Sequence, residues 1–402
     1  MELTLHGMGR RKATAALVGL LLAGVAATPA HAETIRSRQW HLTSMKADDI
    51  WKTSTGKGVT VALIDSGVDR IPELEGQVVP GKDFATSYEG DERTDWDKHG
   101  TTMAALIAAT GNHPSGDGAF GLAPGAKILP IRVPGNVDVK NAAWTAAIRY
   151  AADTDAKIIN ISLASGDEDP ERLAAVKYAL SKGKLIFAGV GNRGDGANDV
   201  LYPAATPGVV GVGAVDKGGK VTAESQHGSQ VDLSAPGADI ITACGGKTGL
   251  CTSHGTSDAT ALVSASAALI WSAHPDWTNN QVLRVMMKTA GKPVDGAERS
   301  DFIGYGTVRP RIAVPNPGDP GPADVYPLPD LAAAGGGTGT KAPSAPSSSS
   351  PGATDPAPQA DAKKDDGVGG SNLPYVGLAL GLGACVLIGG AVTAVVVRRR
   401  SR

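Results

Sequence analysis

Residues 58–65 read GVTVALID, a short run of β-branched and aliphatic side chains that ends in an aspartate. Four similar runs follow along the chain, and stretches with helical periodicity lie between them. Strands that alternate with helices in this way are typical of βαβ units, in which helices cover both faces of a parallel sheet. The sequence therefore predicts an α/β fold with a parallel sheet and helices on both faces. The predicted strands are 58–65, 126–133, 156–164, 184–192 and 208–216, and the predicted helices are 141–153, 170–183 and 255–275.

The composition narrows the class of protein and of partner. The chain has 402 residues, a formal net charge of -2 and 4% aromatic residues. Because this charge creates no basic field, nucleic acid is not an expected partner. With so few aromatic residues, a surface on which bases stack is not expected either. An α/β domain of about 250 residues buries a large core by itself, so the fold needs few disulfides.

The first 32 residues have the pattern of a secretory signal peptide. A basic group, Arg10-Arg11-Lys12, precedes the apolar run ATAALVGLLLAGVAA, and Ala30-His31-Ala32 forms a cleavage site of small residues. An uncleaved membrane anchor is the alternative, but the apolar run is shorter than a bilayer span. We therefore expect a cleaved signal peptide at 1–32, an N-terminal extension at 33–54 and a folded domain at 55–312.

The C-terminal part indicates a tether to the cell membrane. Residues 313–373 are rich in Pro, Gly and Ser and show no periodic apolar face, which predicts a disordered linker. The run 376–397 contains no charged residue, and RRRSR follows it at 398–402. A run of this length spans a bilayer, and the arginines favour the cytoplasmic side. We expect a single transmembrane helix at 374–397, a basic cytoplasmic tail at 398–402 and an extracellular folded domain.

Polar side chains stand at the ends of predicted strands and at the starts of predicted helices. Asp65, Ser162 and Asn192 end strands, at the edge of the sheet where ligands bind in α/β folds. His99 begins a helical segment of small residues, and Ser257 follows Gly-Thr at the start of another. Each residue also has a structural explanation, as a helix cap or a turn residue. Together, however, they supply the carboxylate, imidazole, hydroxyl and amide that acyl transfer by serine requires.

The order of these residues and the sequence around them resemble a known family. Asp, His, Ser is their order in subtilisin. The sequence resembles the subtilisin-like serine proteases, the subtilase or peptidase S8 family, over roughly residues 55–290. The match is carried by VALIDSGVD at 61–69, HGTTMAALIAA at 99–109, NISLAS at 160–165, GVGNRG at 189–194, YPA at 202–204 and HGTSDATALVS at 254–264.

The resemblance implies a subtilisin-like fold and a role for each of these residues. Asp65 would orient the imidazole, His99 would act as general base and then as general acid, and Ser257 would be the nucleophile. Asn192 and the backbone N–H of Ser257 would form the oxyanion hole. A serine endopeptidase of this kind acts on proteins or peptides and needs no cofactor. The sequence also has no cluster of His, Cys and acidic residues with metal-ligand spacing.

The same resemblance locates the pocket for the residue before the scissile bond. It would lie between Ser162-Leu163-Ala164 and the segment that begins at Gly189, with Leu201 near its base. Relatives with wide pockets tend to have glycine where Ala164 and Leu201 stand. We therefore expect small residues such as alanine to be preferred in this pocket over Phe or Tyr.

The organisation of the whole chain is similar to that of the mycosins, the membrane-anchored subtilases of type VII secretion. About seven residues separate Ala32 from Trp40, so a long folding prodomain is not expected. The resemblance implies type VII secretion components as partners. Two alternatives stay open: a catalytically slow subtilase that serves as a structural subunit of a membrane secretion complex, and another serine hydrolase such as an esterase. The absence of a Gly-x-Ser-x-Gly elbow argues against the esterase.

Asp258 departs from the family pattern, because subtilases usually carry an apolar or small residue after the serine. A carboxylate at this position would oppose the negative charge that develops on the substrate carbonyl oxygen, and so slow the reaction. The alternative is that Asp258 only stabilises the first turn of its helix.

The chain has three cysteines. Cys244 and Cys251 flank the short loop GGKTGL, which suggests a disulfide in an exported protein. Two free thiols are the alternative. Cys385 lies within the predicted membrane span and is expected to be a small apolar filler.

Overall fold

The computed structural model describes residues 33–135, 140–245 and 249–334. Its centre is a seven-stranded sheet whose neighbouring strands all pair in parallel. The strand order is β2-β3-β1-β4-β5-β6-β7. This confirms the parallel sheet predicted from the alternation of apolar runs. The strands are β1 (Thr60–Asp65), β2 (Lys82–Asp83), β3 (Lys127–Arg132), β4 (Ile158–Ile161), β5 (Leu185–Gly189), β6 (Val210–Val215) and β7 (Leu233–Pro236).

Helices cover both faces of this sheet, as expected. The alternation along β1 shows the two faces, because Val61 and Leu63 belong to one hydrophobic core and Ala62 and Ile64 to the other. Helices α4 and α7 contribute to the first core, and α5 and α6 to the second. The helices are α1 (Ile35–Arg38), α2 (Trp40–Ser44), α3 (Ala47–Ile50), α4 (His99–Ala108), α5 (Lys140–Ala152), α6 (Pro170–Ser181), α7 (Thr256–Ala273), α8 (Asn279–Thr289), α9 (Pro310–Ala313) and α10 (Asp330–Ala333).

A two-stranded antiparallel hairpin leads directly into α7. It consists of β8 (Ile240–Gly245) and β9 (Gly249–Ser253). Cys244 and Cys251, one on each strand, form a disulfide with their Cα atoms 6.0 Å apart. The hairpin is therefore fastened covalently a few residues before the helix that begins at Thr256.

The N-terminal extension is part of the folded domain. Its three short helices place Leu42 and Ile50 in the first core, where both side chains are buried. The indole N–H of Trp51 donates to the carbonyl oxygen of Leu122 at 2.8 Å. Residues 33–54 are thus joined to the domain by apolar burial and by long-range hydrogen bonds. No helix or strand was predicted there from the sequence.

The predicted boundary at residue 312 is wrong, because residues 313–334 pack on the domain. Val314 and Leu328 are buried in the first core. The Arg284 guanidinium of α8 donates to the carbonyl oxygens of Pro320 and Pro322 at 2.8 and 2.9 Å. The sequence pattern missed this because the segment is fixed by single apolar residues and by its backbone carbonyls, neither of which creates a periodic face.

Within the described ranges, no helix is both long enough and apolar enough to cross a membrane. The predicted signal peptide at 1–32 lies outside the described residues, as do the rest of the predicted linker from 335, the predicted span at 374–397 and the tail at 398–402.

Candidate active site

The carboxyl edge of the sheet places Asp65 against His99. Asp65 is the last residue of β1 and is buried, and His99 is the first residue of α4. Their Oδ1 and Nδ1 atoms lie 2.7 Å apart. The same carboxylate oxygen accepts hydrogen bonds from the Ser66 backbone N–H at 2.8 Å and from the Ser66 hydroxyl at 3.2 Å. Asp65 is therefore held in a fixed orientation toward the imidazole.

A second acid, Asp95, fixes the start of the helix that carries His99. Its carboxylate accepts hydrogen bonds from the backbone N–H groups of Lys98 and Thr101, both at 2.7 Å. These groups would otherwise lack partners at a helix start. Asp95 also accepts a hydrogen bond from the Ser66 hydroxyl at 2.7 Å. It thus ties the α4 terminus to the residue that follows Asp65. Its position four residues before His99 could have indicated the capping of α4, but not the bond to Ser66.

Gly100 allows α4 to approach the end of β1 closely. A Cβ atom at this position would lie 2.1 Å from the carbonyl oxygen of Gly67 and 3.2 Å from the Asp65 carboxylate. No side chain fits at such a distance from a backbone atom. The glycine after His99 is therefore required by the contact that brings the imidazole to Asp65.

Ser257 lies in the first turn of α7 and is bonded to the end of β4. Its hydroxyl donates to the carbonyl oxygen of Ser162 at 3.1 Å, and the Ser162 hydroxyl donates to the Ser257 carbonyl oxygen at 3.1 Å. The Ser162 hydroxyl also accepts from the Asn160 side-chain amide at 3.0 Å. Ser264 donates in turn to Asn160 at 2.8 Å. In this state the Ser257 hydroxyl is bonded to Ser162 and not to His99, which differs from the arrangement that the resemblance implies.

Asn192 is held by the residue that precedes Ser257. Its Oδ1 atom accepts hydrogen bonds from the backbone N–H of Thr256 at 2.9 Å and from the Thr256 hydroxyl at 3.0 Å. This leaves the Nδ2 group as the donor that Asn192 can offer to a ligand. Gly255 has a φ of 120°, and a Cβ atom there would lie 2.8 Å from Nδ2. The site therefore needs glycine at this position.

An open cleft of about 210 Å³ lies beside Ser257 and Asn192. Ser257 and Asn192 lie on it, and all five residues predicted to bind substrate line it. Its lining is Ser162, Leu163, Ala164, Gly189, Gly191, Asn192, Arg193, Leu201, Thr256 and Ser257. The structure therefore brings these residues together, while their part in substrate binding stays a prediction. Sequence reasoning missed Arg193, although it directly follows Asn192.

The charges around His99 favour its protonated form. Burial opposes the charge of the imidazole, but the charge and hydrogen bond of Asp65 outweigh it, with further contributions from Asp258 and Asp97. Together these acids raise the pKa of His99 to about 9. A general base must be neutral to accept a proton, so these acids also set the pH above which His99 can act.

Asp258 does not line the cleft, and its side chain is buried. It is 0% exposed, and its Oδ1 atom accepts a hydrogen bond from the Ser253 hydroxyl at 2.8 Å. The other oxygen has no partner among the described residues. Burial raises the pKa of Asp258 to about 6, against the lowering effects of the Ser253 hydrogen bond and the charge of His99. Its influence is thus exerted on His99, rather than only on the substrate oxygen as the sequence suggested.

In the described part of the chain, no three His, Cys, Asp or Glu side chains are grouped so that they could hold a metal ion. A larger cleft of about 520 Å³, lined by Arg70, Glu75 and His113 among others, contains none of the predicted site residues. The chemistry available at the sheet edge is that of a hydroxyl, an imidazole, a carboxylate and an amide.

Comparison with known proteins shows the family of this chain. The subtilase family matches residues 56–306. An intracellular serine protease of Paenibacillus polymyxa is 36% identical over 234 residues, which cover 56% of this chain and 70% of that protein. For several subtilisins that the chain also matches, it spans about 61% of their length.

Solved structures of mycosins are similar over a larger part of the chain. The structure of MycP1 from Mycobacterium smegmatis has a TM-score of 0.63 and 27% sequence identity, and the match covers 75% of this chain and 90% of that one. The structure of the MycP3 protease from the type VII (ESX-3) secretion system has a TM-score of 0.60 and 31% sequence identity. This match covers 71% of this chain and 90% of that one. The resemblance seen in the sequence is confirmed, and the chain belongs to the subtilase family of serine proteases.

Proposed function

We propose that this chain is a serine endopeptidase that hydrolyses peptide bonds through an acyl-enzyme. The Ser257 hydroxyl attacks the substrate carbonyl carbon while its proton passes to Nε2 of His99. The protonated His99 gives this proton to the leaving amine, and the C–N bond breaks. Water, activated by His99, then hydrolyses the ester. Asp65 stabilises the imidazolium, and the Asn192 Nδ2 group and the Ser257 backbone N–H donate to the oxyanion.

The observation that carries this proposal is the bond between His99 and Asp65. A carboxylate that accepts from Nδ1 leaves Nε2 as the proton acceptor, which is the tautomer that a general base requires. The 2.7 Å separation is within the range of a charge-assisted hydrogen bond. Before attack, the Ser257 hydroxyl must leave the Ser162 carbonyl oxygen and turn to His99, a change of side-chain rotamer in the first turn of α7.

A serine-reactive fluorophosphonate probe tests the proposal on the purified full chain. We expect the probe to label Ser257, and Ser257→Ala to abolish both labelling and peptide hydrolysis while the fold is kept. Ser272→Ala is the matched control, because Ser272 lies in the last turns of the same helix and donates to the carbonyl oxygen of Lys57. Turnover that persists in Ser257→Ala would remove Ser257 from the nucleophile's role.

A structural role in a membrane complex is a second candidate. The hydrogen bond from Ser257 to Ser162 and the raised pKa of His99 both favour a slow enzyme at neutral pH. Absence of probe labelling over a range of pH, in a chain that is folded and bound to its complex, would support this role over proteolysis.

We also propose that residues 1–32 direct export and are removed, and that residues 374–397 anchor the domain outside the cell membrane. The sequence patterns at the two ends support this arrangement. Truncation before residue 374 should release the chain into the medium, and protease added to intact cells should digest the full-length form. Recovery of the truncated chain in the membrane fraction would contradict the anchor.

A role in type VII secretion is supported by the likeness to MycP3, which comes from such a system. Crosslinking of the anchored chain in its own membranes, followed by mass spectrometry, tests it. We expect membrane components of a type VII secretion system among the crosslinked proteins. Their absence, with efficient crosslinking to other membrane proteins, would argue against this role.

A further inference from the structure

The cleft beside Ser257 carries a positive charge that the proposed reaction does not use. Arg193 lines this cleft next to Asn192, and its side chain is exposed. The other described lining residues are uncharged: small or aliphatic side chains, two hydroxyls besides Ser257, and one amide. A substrate side chain that enters the cleft therefore meets a single formal charge, and that charge is positive.

The Arg193 guanidinium is available to a ligand. Within the described ranges it forms no ion pair, and neither Asp195 nor Asp199 bonds to it. Glu224 is adjacent through its backbone, since its carbonyl oxygen accepts from the Gly194 N–H at 2.8 Å. Its carboxylate, however, is bonded to His254, with both oxygens 2.9 Å from Nδ1. The acids around Arg193 thus leave its charge free.

The walls of the cleft favour a short side chain. The Leu201 side chain packs against Gly191: its Cδ1 atom lies 2.6 Å from the position that a Cβ atom on Gly191 would take. Ala164 adds a methyl group to the opposite segment. Both side chains line the cleft of about 210 Å³ and occupy room that a long substrate side chain would need.

We infer that Arg193 selects substrates with an acidic residue, aspartate above all, immediately before the scissile bond. This inference rests on the proposed protease function and names its substrate class. A guanidinium presents two parallel N–H groups that match a carboxylate, so it distinguishes aspartate from asparagine of the same shape. Arg193 acts on specificity and takes no part in proton transfer.

The test uses peptide p-nitroanilides that differ only in the residue before the anilide: Asp, Asn, Glu, Ala, Lys and Phe. We expect kcat/KM for Asp to exceed that for Asn by about 5-fold at low salt, a ratio typical of one partly exposed ion pair. The ratio should fall as salt is added, because exposed charges are screened. Alanine should be cleaved faster than phenylalanine.

Variants assign this preference to Arg193. Arg193→Gln should bring the Asp to Asn ratio close to one, and Arg193→Glu should make Lys the better substrate. Arg311→Gln is the matched control, because Arg311 is exposed on α9 and does not line the cleft. An Asp to Asn ratio near one in the unaltered chain, or the same ratio in Arg193→Gln, would overturn the inference and leave the protease function intact. Absence of both hydrolysis and probe labelling would instead overturn the proposed function.

Discussion

The Nδ1 atom of His99 lies 2.7 Å from Oδ1 of Asp65, although 34 positions separate them in the chain. The same oxygen accepts two hydrogen bonds from Ser66, while the second carboxylate oxygen is buried without a partner among the described residues. Asp65 therefore acts through one oxygen. A change at this residue alters the orientation and the tautomer of His99 together.

Asp65→Asn should reduce kcat by about 10⁴-fold with little change in fold, because an amide at this place favours the wrong imidazole tautomer. Asp216→Asn is the control, since the Asp216 carboxylate accepts, among the described residues, only from backbone N–H groups in an exposed turn. Steady-state kinetics and far-UV circular dichroism check the two variants. A loss below about tenfold would show that His99 does not depend on Asp65 for its proton-acceptor form.

Asn192→Ala should lower kcat by about 100- to 1,000-fold, the range for one oxyanion donor, and leave KM nearly unchanged. Its Oδ1 atom also orders Thr256, so a second variant separates the two roles. Asn192→Asp keeps an oxygen that can accept from Thr256 but has no N–H group to donate to the oxyanion. A loss in kcat for both variants supports the donor role, whereas an unchanged kcat in Asn192→Ala reduces it to a turn residue.

Sequence reasoning identified the sheet and the residues at its edge because both leave local signals. The apolar run that ends at Asp65 predicts a buried strand, and a buried acid at the end of such a strand needs a partner. Gly-Thr before Ser257 likewise indicates a helix start. These features depend on residues that are close in the sequence, so the sequence alone indicates them.

The support around the site was not predictable in the same way. Asp95 is hydrogen-bonded to Ser66, 29 positions away, and Ser264 to Asn160, 104 positions away. No local sequence pattern indicates such pairs. Strand β7 was missed because it has only four residues and ends at Pro236. Helix α8 was not predicted, although its start has a local sequence signal. This signal is a capping box, in which the side chains of Thr278 and Gln281 bond to each other's backbone N–H groups.

His41 should make the folded state sensitive to acid. It is fully buried in α2, and neither ring nitrogen has a partner within the described residues. Burial, with the charge of Arg36, lowers the pKa of His41 to about 3. The unfolded chain binds a proton at this residue near pH 6.5 and the folded chain does not, so stability is lost as pH falls from 6.5 toward 3.

Between pH 7 and pH 5 this effect should cost about 2 kcal/mol of unfolding free energy, at about 1.4 kcal/mol per pH unit below 6.5. His41→Leu should remove it, because leucine has no proton to bind. Urea unfolding at the two pH values, in the Ser257→Ala background to prevent self-digestion, gives the comparison. An equal loss of stability with and without His41 would assign the acid sensitivity to other groups.

Asp258 should control the pH range of activity through His99. It is buried, its charge raises the pKa of His99, and its own pKa is raised to about 6. Asp258 is thus largely ionised at neutral pH and adds to the larger effect of Asp65 in favouring the protonated imidazole. Because a protonated His99 cannot accept the Ser257 proton, kcat/KM should rise with pH through the pKa of His99 in the free enzyme.

Asp258→Asn removes this charge and keeps an acceptor for the Ser253 hydroxyl, which bonds to Oδ1. The acid limb of kcat/KM should move to lower pH, and a shift of about half a pH unit would raise the rate at pH 7 about 3-fold. Asp97→Asn is the matched comparison, because Asp97 also raises the pKa of His99 but is exposed, so its shift should be smaller. If Asp258→Asn leaves the limb in place while the fold is intact, Asp258 is a structural residue of the first turn of α7 and does not set the basicity of His99.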